Sequence, residues 1–505
     1  MFSKKSNIAS SKIHSDLQTG FQTGHCFIAQ NSKKNKHFQI QSAGNTLLRL
    51  FCLVTIFYLN ISLNAQDTTS NLKVLSINIS GNKITKSQII KRELTFTEGD
   101  TIKNWDHHMN RSRQQLLNLF LFNQVTITMD SGIVMVDVKE RWYYWPIPEL
   151  DYADRNFNQW WLSKDLKRLI YGVNFMAYNL RGRNETMTLS LISGYTKQAG
   201  VSYKVPYFNK KHTWGLQVAA AYSSNREVWF KTADDKVKFF RDNDQELIHQ
   251  FKSEISFTNR PAFYSYHQPY IGLRYTSVKD TVLSAQVNPQ FLLDSVNKQM
   301  EAYIGYQFTF DKRDFKGYPM NGWLLKANAE VGRFMSHSVL STAALRLSVS
   351  QYKQLSKKWF AAANFTGRIY SNSQPQYTRV QALGYGKDYI RGYELKVIDG
   401  NHFALAKLEI KYKLFDHTLP FFKTLKGYEQ LPVTVFLTAF SDAAYVNNND
   451  KKMAELNRNL LPNSFQQGKG IGVNVVMYYD YVARLEYSFD KQMKARFYLS
   501  FVASM

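Results

Sequence analysis

Long runs in which apolar and polar side chains alternate are the feature that most limits what this chain can become. In EAYIGYQFTF, Ala302, Ile304, Tyr306, Phe308 and Phe310 share one face, and Glu301, Tyr303, Gly305, Gln307 and Thr309 share the other. In NGWLLKANAEV, Trp323, Leu325, Ala327, Ala329 and Val331 oppose Leu324, Lys326, Asn328 and Glu330. In ALAKLEIKYKL, Ala404, Ala406, Leu408, Ile410, Tyr412 and Leu414 oppose Lys407, Glu409, Lys411 and Lys413. A period of two means a strand with two unlike faces. Soluble sandwiches alternate as well. Runs of about ten residues whose polar face carries full charges, in strand after strand, suit a barrel with hydrocarbon outside and water inside.

From Trp142 to the end no helical period stands out, and about 16 such runs follow one another, an even number as in single-chain bacterial barrels. The expected fold is therefore an all-β transmembrane barrel of antiparallel strands over residues 142–505. A mean hydropathy of −0.37 excludes a bundle of membrane helices. It does not exclude a barrel, which is apolar only at every second position. The 31 Tyr and 35 Phe suit strands and membrane interfaces.

The first 65 residues read as an N-terminal extension and an export signal. Leu50–Leu59, LFCLVTIFYL, is an apolar core preceded by Arg49, too short to span a membrane, and SLNA ahead of Gln66 suits cleavage. Both cysteines, Cys26 and Cys52, would leave with it. An envelope protein that folds without disulfides fits that, and a zinc or thiol enzyme does not. Of the net charge of +25, this segment holds a surplus of six, seven Lys/Arg against one Asp. The remainder reads as a basic lumen or contact with anionic lipid rather than nucleic acid, given the export signal.

Residues 72–140 have a different period. KVLSINISGN reads as a strand and a turn at Gly81. Thr85 and Gln88 form a capping-box pattern before a short helix, and a second helical run spans about Asn104 to Phe122. VTITMD and IVMVDVKER then read as strands joined by Ser131-Gly132. The order is that of a small α+β domain. With LFLFNQVTI and the closing VKER, it resembles a POTRA domain.

Loop lengths give the barrel an orientation. With the small domain in the periplasm, the long connections 277–298, 371–402 and 443–469 fall outside, and the short 181–184 and 207–212 fall inside. The connection 415–430 is an exception, of moderate length on the inner side. The sixth outer loop then contains GYGKDYIRGYELKVIDGN, with Arg391, Gly392 and Tyr393 at its centre.

A POTRA-like domain before such a barrel, with Arg-Gly-Tyr in the sixth loop, resembles the BamA/TamA superfamily of outer-membrane insertases and two-partner secretion transporters. The similarity covers roughly residues 72–505. It includes DKRDFKGYPMNG, with Arg313, Asp314, Pro319 and Gly322, and the hairpin-like GKGIGVNVVMYYDYVARLEYSF. The resemblance implies a loop folded into the lumen whose arginine contacts a Phe-x-Asp-x-Gly strand motif. Here that motif is FSDAA, where Phe440 and Asp442 match and Ala444 replaces the glycine. Parity agrees without the family: Val433, Val435, Leu437 and Ala439 face out, so Phe440 and Asp442 face in, as does Glu409. Arg391 thus has two candidate carboxylates for a charge-assisted latch. The plain alternative is one lumenal arginine among many.

Nothing else carries chemistry. GKGIG is followed by no helix and is no phosphate loop. His107 and His108 are adjacent on a helical run and cannot converge on one metal. No carboxylate dyad and no Ser-His-Asp set has a supporting context, so neither an enzyme nor a cofactor is expected. The expected role is insertion or translocation of unfolded outer-membrane or secreted polypeptides, with outer-membrane lipid as solvent and accessory envelope proteins as further partners. A passive porin or solute channel, or a lipid-handling or structural barrel, is the competing reading.

The last run, ARFYLSFVASM, places Phe497, Leu499 and Phe501 on the lipid face with Ala495, like the terminal recognition strand of barrel proteins, but runs four residues beyond Phe501. Phe501→Ala is expected to lower the yield of assembled barrel more than deletion of Ser504 and Met505. Heat-modifiability on gels measures both variants, and equal yields would refute the assignment.

Overall fold

The computed structural model describes residues 72–152, 164–209, 211, 213–335, 341–372, 376–420, 430–450, 454–455, 457–477 and 481–503. The expected N-terminal extension and export signal at 1–65 lie outside them. The N-terminal domain runs β1 (Leu72–Lys73), β2 (Ser76–Ser80), α1 (Ser87–Glu93), β3 (Thr101–Ile102), α2 (Trp105–Leu117), β4 (Phe122–Asp130) and β5 (Ile133–Glu140). β5 is central, parallel to β2 and antiparallel to β4. The β4–β5 turn has Ser131 and Gly132 both at positive φ, 48° and 84°, the backbone twist that a tight hairpin needs. Alternate residues Val134, Val136 and Val138 are buried against Ile89, Ile90 and Leu116 of the helices. Each such side chain contributes about 1.5–3 kcal/mol by leaving water.

Thr85 does not cap α1. The helix starts one residue later, with Lys86 at the cap position and no side-chain cap bond. The Thr85 hydroxyl instead donates to Glu140 Oε1 (2.5 Å) and accepts from Asn179 Nδ2 (2.8 Å), with the Tyr143 hydroxyl 3.0 Å away. Glu140 also accepts the amides of Ile84 (3.1 Å) and Thr85 (2.6 Å). Burial pushes the Tyr143 phenol up to about 12, so it stays protonated. A local capping signal lost here to tertiary hydrogen bonds.

The barrel follows as β6 (Tyr144–Tyr152), β7 (Leu169–Leu180), β8 (Glu185–Gly194), β9 (Thr196–Val205), β10 (Trp214–Asn225), then a side hairpin β11 (Glu227–Ala233) and β12 (Lys236–Arg241). It continues as β13 (Ile248–Asn259), β14 (Ser265–Val278), β15 (Lys298–Asp311), β16 (Gly322–Phe334), β17 (Ser341–Gln354) and β18 (Trp359–Asn372). After the short β19 (Gln381–Leu383) and β20 (Ile398–Asp399) come β21 (His402–Pro420), β22 (Gln430–Asn447), β23 (Phe465–Met477), β24 (Tyr481–Phe489) and β25 (Ala495–Ala503). Sixteen of these form one antiparallel sheet, in chain order from β6 to β25. Each strand pairs with its sequence neighbour because each hairpin satisfies backbone groups that hydrocarbon cannot. The predicted outward faces are exposed for lipid, as at Ile304 (62%), Leu408 (54%) and Ile471 (61%).

One connection differs from expectation. Within 415–430 the described residues are strand: β21 runs to Pro420 and β22 starts at Gln430.

The N-terminal domain sits on one rim. Arg260, in the β13–β14 connection, holds Glu93 with both nitrogens of its fork, one at 2.8 Å, and donates to Tyr207 Oη (2.8 Å). Lys86 N donates to Gly182 O (2.9 Å), and Asn118 meets the β15–β16 connection through Asp314 O (3.5 Å) and Lys316 N (3.4 Å). On the same rim Tyr318 turns inward and packs on Phe360, Phe436, Val476 and Val482. At the far rim the β11–β12 tip is gripped by its neighbours. Asp235 Oδ1 accepts the amides of Leu460 (2.8 Å) and Leu461 (3.2 Å), and Asp235 O accepts Val397 N (2.9 Å).

Glu93 and Arg260 are both buried. Removing one partner of such a pair costs about 3–5 kcal/mol, whereas replacing both by apolar residues is nearly neutral. Glu93→Ala should speed proteolytic release of the N-terminal domain, and Glu93→Leu with Arg260→Met should restore most of its protection. Equal release from wild type and Glu93→Ala would show that the pair does not hold the domain.

Candidate functional site

The segment between β18 and β21 packs on the strands that follow it. β19 and β20 pair briefly, Gln381 with Asp399 and Leu383 with Ile398. Leu383, Ile390 and Tyr393 then pack on Phe403 and Leu405 of β21 and on Ala444 and Val446 of β22. Ala444 keeps the regular ladder, opposite Leu405 and Gln466, and its methyl joins this cluster. The chain therefore reaches the inner wall with its apolar side chains already buried there.

Arg391 stands at the end of that contact, 6% exposed. Its Nε donates to Asp442 Oδ2 (3.0 Å) and Oδ1 (3.2 Å), and its Nη2 to Asp442 Oδ1 (2.6 Å). Its own amide donates to Asp442 Oδ2 (3.0 Å). Nη1 donates to Glu409 Oε2 (2.8 Å), and Glu486 Oε1 lies 3.8 Å from Nη1. The guanidinium also lies 3.9 Å above the Phe440 ring centre. A fully buried charge is tolerated only when it is paired and its donors are used. Here the side-chain fork, the backbone amide and an aromatic face all point the same way.

Three glycines make room for this contact. Gly392 has φ +94°, and a Cβ there would meet Phe489 O at 2.8 Å. On β23 a Cβ at Gly468 would lie 1.8 Å from Arg391 O, and one at Gly470 would lie 2.7 Å from the Phe440 ring. Tyr393 fixes the next residue: its hydroxyl donates to Gln466 Oε1 (3.1 Å) and accepts Lys491 N (3.0 Å). Gly392 N donates to Glu394 Oε2 (2.9 Å), and burial pushes that carboxyl, in the segment between strands, up to about 7.

Arg391, Gly392, Tyr393, Asp442 and Glu409 are thus brought together on one patch of wall. Arg313, Asp314, Pro319 and Gly322 are not part of it. They shape the β15–β16 connection: Arg313 pairs with Asp311 by two bonds of 2.8 Å, and Asp314 Oδ1 accepts Phe315 N (2.8 Å) and Met320 N (3.1 Å). Pro319 is buried, and Gly322 has φ +109° where a Cβ would meet Lys312 O at 2.1 Å. The connection does touch the site indirectly. Lys411 Nζ lies 4.1 Å from the Tyr318 ring centre and 3.8 Å from Glu409 Oε1. Of the C-terminal trio, Phe497 is exposed (68%), Leu499 half-buried, and the Phe501 side chain lies outside the described residues. Sequence reasoning missed Glu486 and the wall glycines. The alternation in YVARLEYSF, with Val482, Arg484, Glu486 and Ser488 on one face, held the signal for Glu486.

A family model described as the Omp85 superfamily domain matches residues 179–489, and one for POTRA, described as a surface antigen variable number repeat, matches residues 72–141. Among solved structures the chain is similar to BamA from Haemophilus ducreyi lacking POTRA domains 1–3, at 14% identity over 87% of this chain and 86% of that one, with a TM-score of 0.48. It is also similar to CdiB from Escherichia coli, at 12% identity over 85% and 75%, with a TM-score of 0.49. Among curated proteins no sequence matches at a significant level. The Omp85 match alone covers more than half of the residues, and the chain belongs to the Omp85 superfamily.

Proposed function

We propose that this barrel inserts or translocates polypeptides at the outer membrane, with residues 72–140 in the periplasm and the segment around Arg391 latched to the lumen wall. The observation that carries the reading is the burial of Arg391 against Asp442, which is 0% exposed. A charge pair so costly to desolvate is a poor way to add stability but a good way to fix one position among several. An insertase or transporter needs a lumen element with a defined resting place that a client can displace. The chain acts here by position and binding rather than as an enzyme.

A passive channel is the second reading, favoured by the charged lumen. Two features speak against it. Tyr318 of the β15–β16 connection packs inward on Phe360 and Phe436 near the domain-bearing rim, and the β11–β12 tip is bonded into the loops at the other.

Two experiments test the reading. Arg391→Ala should leave a folded barrel yet reduce trapping of client chains by crosslinkers placed along β6. Arg391→Lys should rescue poorly, because an ammonium cannot reproduce the two-pronged contact. Asp442→Asn should resemble Arg391→Ala, and Glu409→Gln should be milder. In a double-mutant cycle, Arg391 and Asp442 should couple by more than about 1 kcal/mol, above the range of an exposed pair. Simple additivity would remove the latch. For orientation, Asn449 is exposed in the connection after β22. Asn449→Cys should react with an impermeant maleimide on intact cells, and no labelling would place that rim in the periplasm instead.

A further inference from the structure

The β21–β22 hairpin is longer than its crossing requires. A strand crosses hydrocarbon with about 9–11 residues, and β21 has 19 and β22 has 18. β18 leaves β21 at the Trp359–Tyr412 rung, and β23 leaves β22 at Val433–Met477. Beyond those rungs, among the described residues, β21 and β22 pair only with each other, down to Pro420 and Gln430. Lys413 N donates to Lys358 O (2.8 Å) in the β17–β18 connection, so the ribbon leaves the barrel at the rim that carries the N-terminal domain. All seven residues Leu414–Pro420 are exposed. At ~3.3 Å per residue they reach about 20 Å.

The ribbon has two faces and two unlike edges. Phe415, His417 and Leu419 stand opposite Val435, Val433 and Leu431, which continues the outward apolar face of β22. On the other face Asp416 accepts Lys413 Nζ (2.9 Å) and Thr434 Oγ1 (3.2 Å). Proteins blunt exposed edges with proline or lysine, because an open edge is a template for another strand. β22 carries Pro432 in the ribbon, and a proline withdraws a donor. From Phe415 to Leu419 the β21 edge carries neither residue, and its one acidic charge is neutralised locally by Lys413. Where β18 stops, Lys357 and Lys358 are exposed and enter no ion pair among the described residues. A strand added to the β21 edge would lie in line with β18 and end against these two cations.

The geometry points to the edge of β21 beyond the Trp359–Tyr412 rung as a docking strand for an extended segment of client polypeptide, apolar at alternate residues and acidic at the end that meets Lys357 and Lys358. Main-chain bonds give such an addition its affinity, and alternate side chains and the terminal charge give it selectivity. The inference rests on the polypeptide-handling reading and names the chemistry of the client.

The test uses the full chain in nanodiscs and two fluorescein-labelled, amidated ten-residue peptides of alternating valine and threonine, one ending in two aspartates and one in two lysines. Wild type should bind the aspartate peptide at least tenfold more tightly by anisotropy. Lys357→Glu with Lys358→Glu, a surface change that leaves the barrel intact, should reverse the preference. Thr418→Pro and Leu419→Pro between them probe both sides of the strand, and one should weaken binding tenfold. Equal binding of both peptides to wild type and to the charge-reversed protein overturns the proposal. So does quenching of Leu419→Trp by brominated lipid, which would make the bilayer surface the occupant. Binding of neither peptide, while Arg391→Ala still loses client crosslinks in cells, overturns the docking strand and leaves the polypeptide reading standing.

Discussion

Hydrocarbon offers nothing to a backbone N–H or C=O, and every other feature of this molecule follows from that constraint. It imposes the unbroken ladder from β6 to β25 and the period of two that fills the sequence. It also sorts the side chains, since the face turned to lipid must be apolar and most of the charge of the strands is displaced inward. The lumen is where this chain can place ions, and it does so densely around residues 391, 407, 409, 411, 442, 484 and 486.

That density sets the energetic problem of the interior. Four cations (Arg391, Lys407, Lys411 and Arg484) and three carboxylates (Asp442, Glu409 and Glu486) occupy one sector of wall. Any one of them alone would be costly to bury. Arg391 resolves the problem by using most of its donors at once, and it brings its backbone into the same contact through the amide bond to Asp442. Geometry of that kind depends on close approach. The close approach depends on Gly468 and Gly470, where any side chain would collide with the segment or with Phe440.

Much of this was readable before any coordinates, and the reasons are particular. Parity alone placed Asp442, Glu409 and Phe440 inside, because a one-residue slip would have turned Val435 and Leu437 inward. The sixteen strands were countable because charged faces recur with each crossing. Thr85 was misread because a capping pattern is local, while Glu140, Tyr143 and Asn179, which claim its hydroxyl, come from 55 or more residues away. The length of β21 was missed because FDHTLP mixes strand and turn residues, and two prolines bracket the tip. The glycines of GKGIG were invisible as wall elements, since a glycine in a strand reads as weakness until something is seen lying against it.

The order of the chain gives the wall glycines a consequence for assembly. The segment around Arg391 is made and exported before any of its main supports: Asp442, Gln466, Gly468, Glu486 and Phe489 all follow it in sequence. Its resting place does not exist until β22, β23 and β24 have paired, so seating this segment belongs to the end of barrel formation rather than its beginning. Until then an arginine and a cluster of apolar residues wait unpaired inside a half-built sheet. Completion of the wall and seating of this segment are therefore one event, and a barrel with its last strands missing would also lack the groups that hold Arg391 and Tyr393.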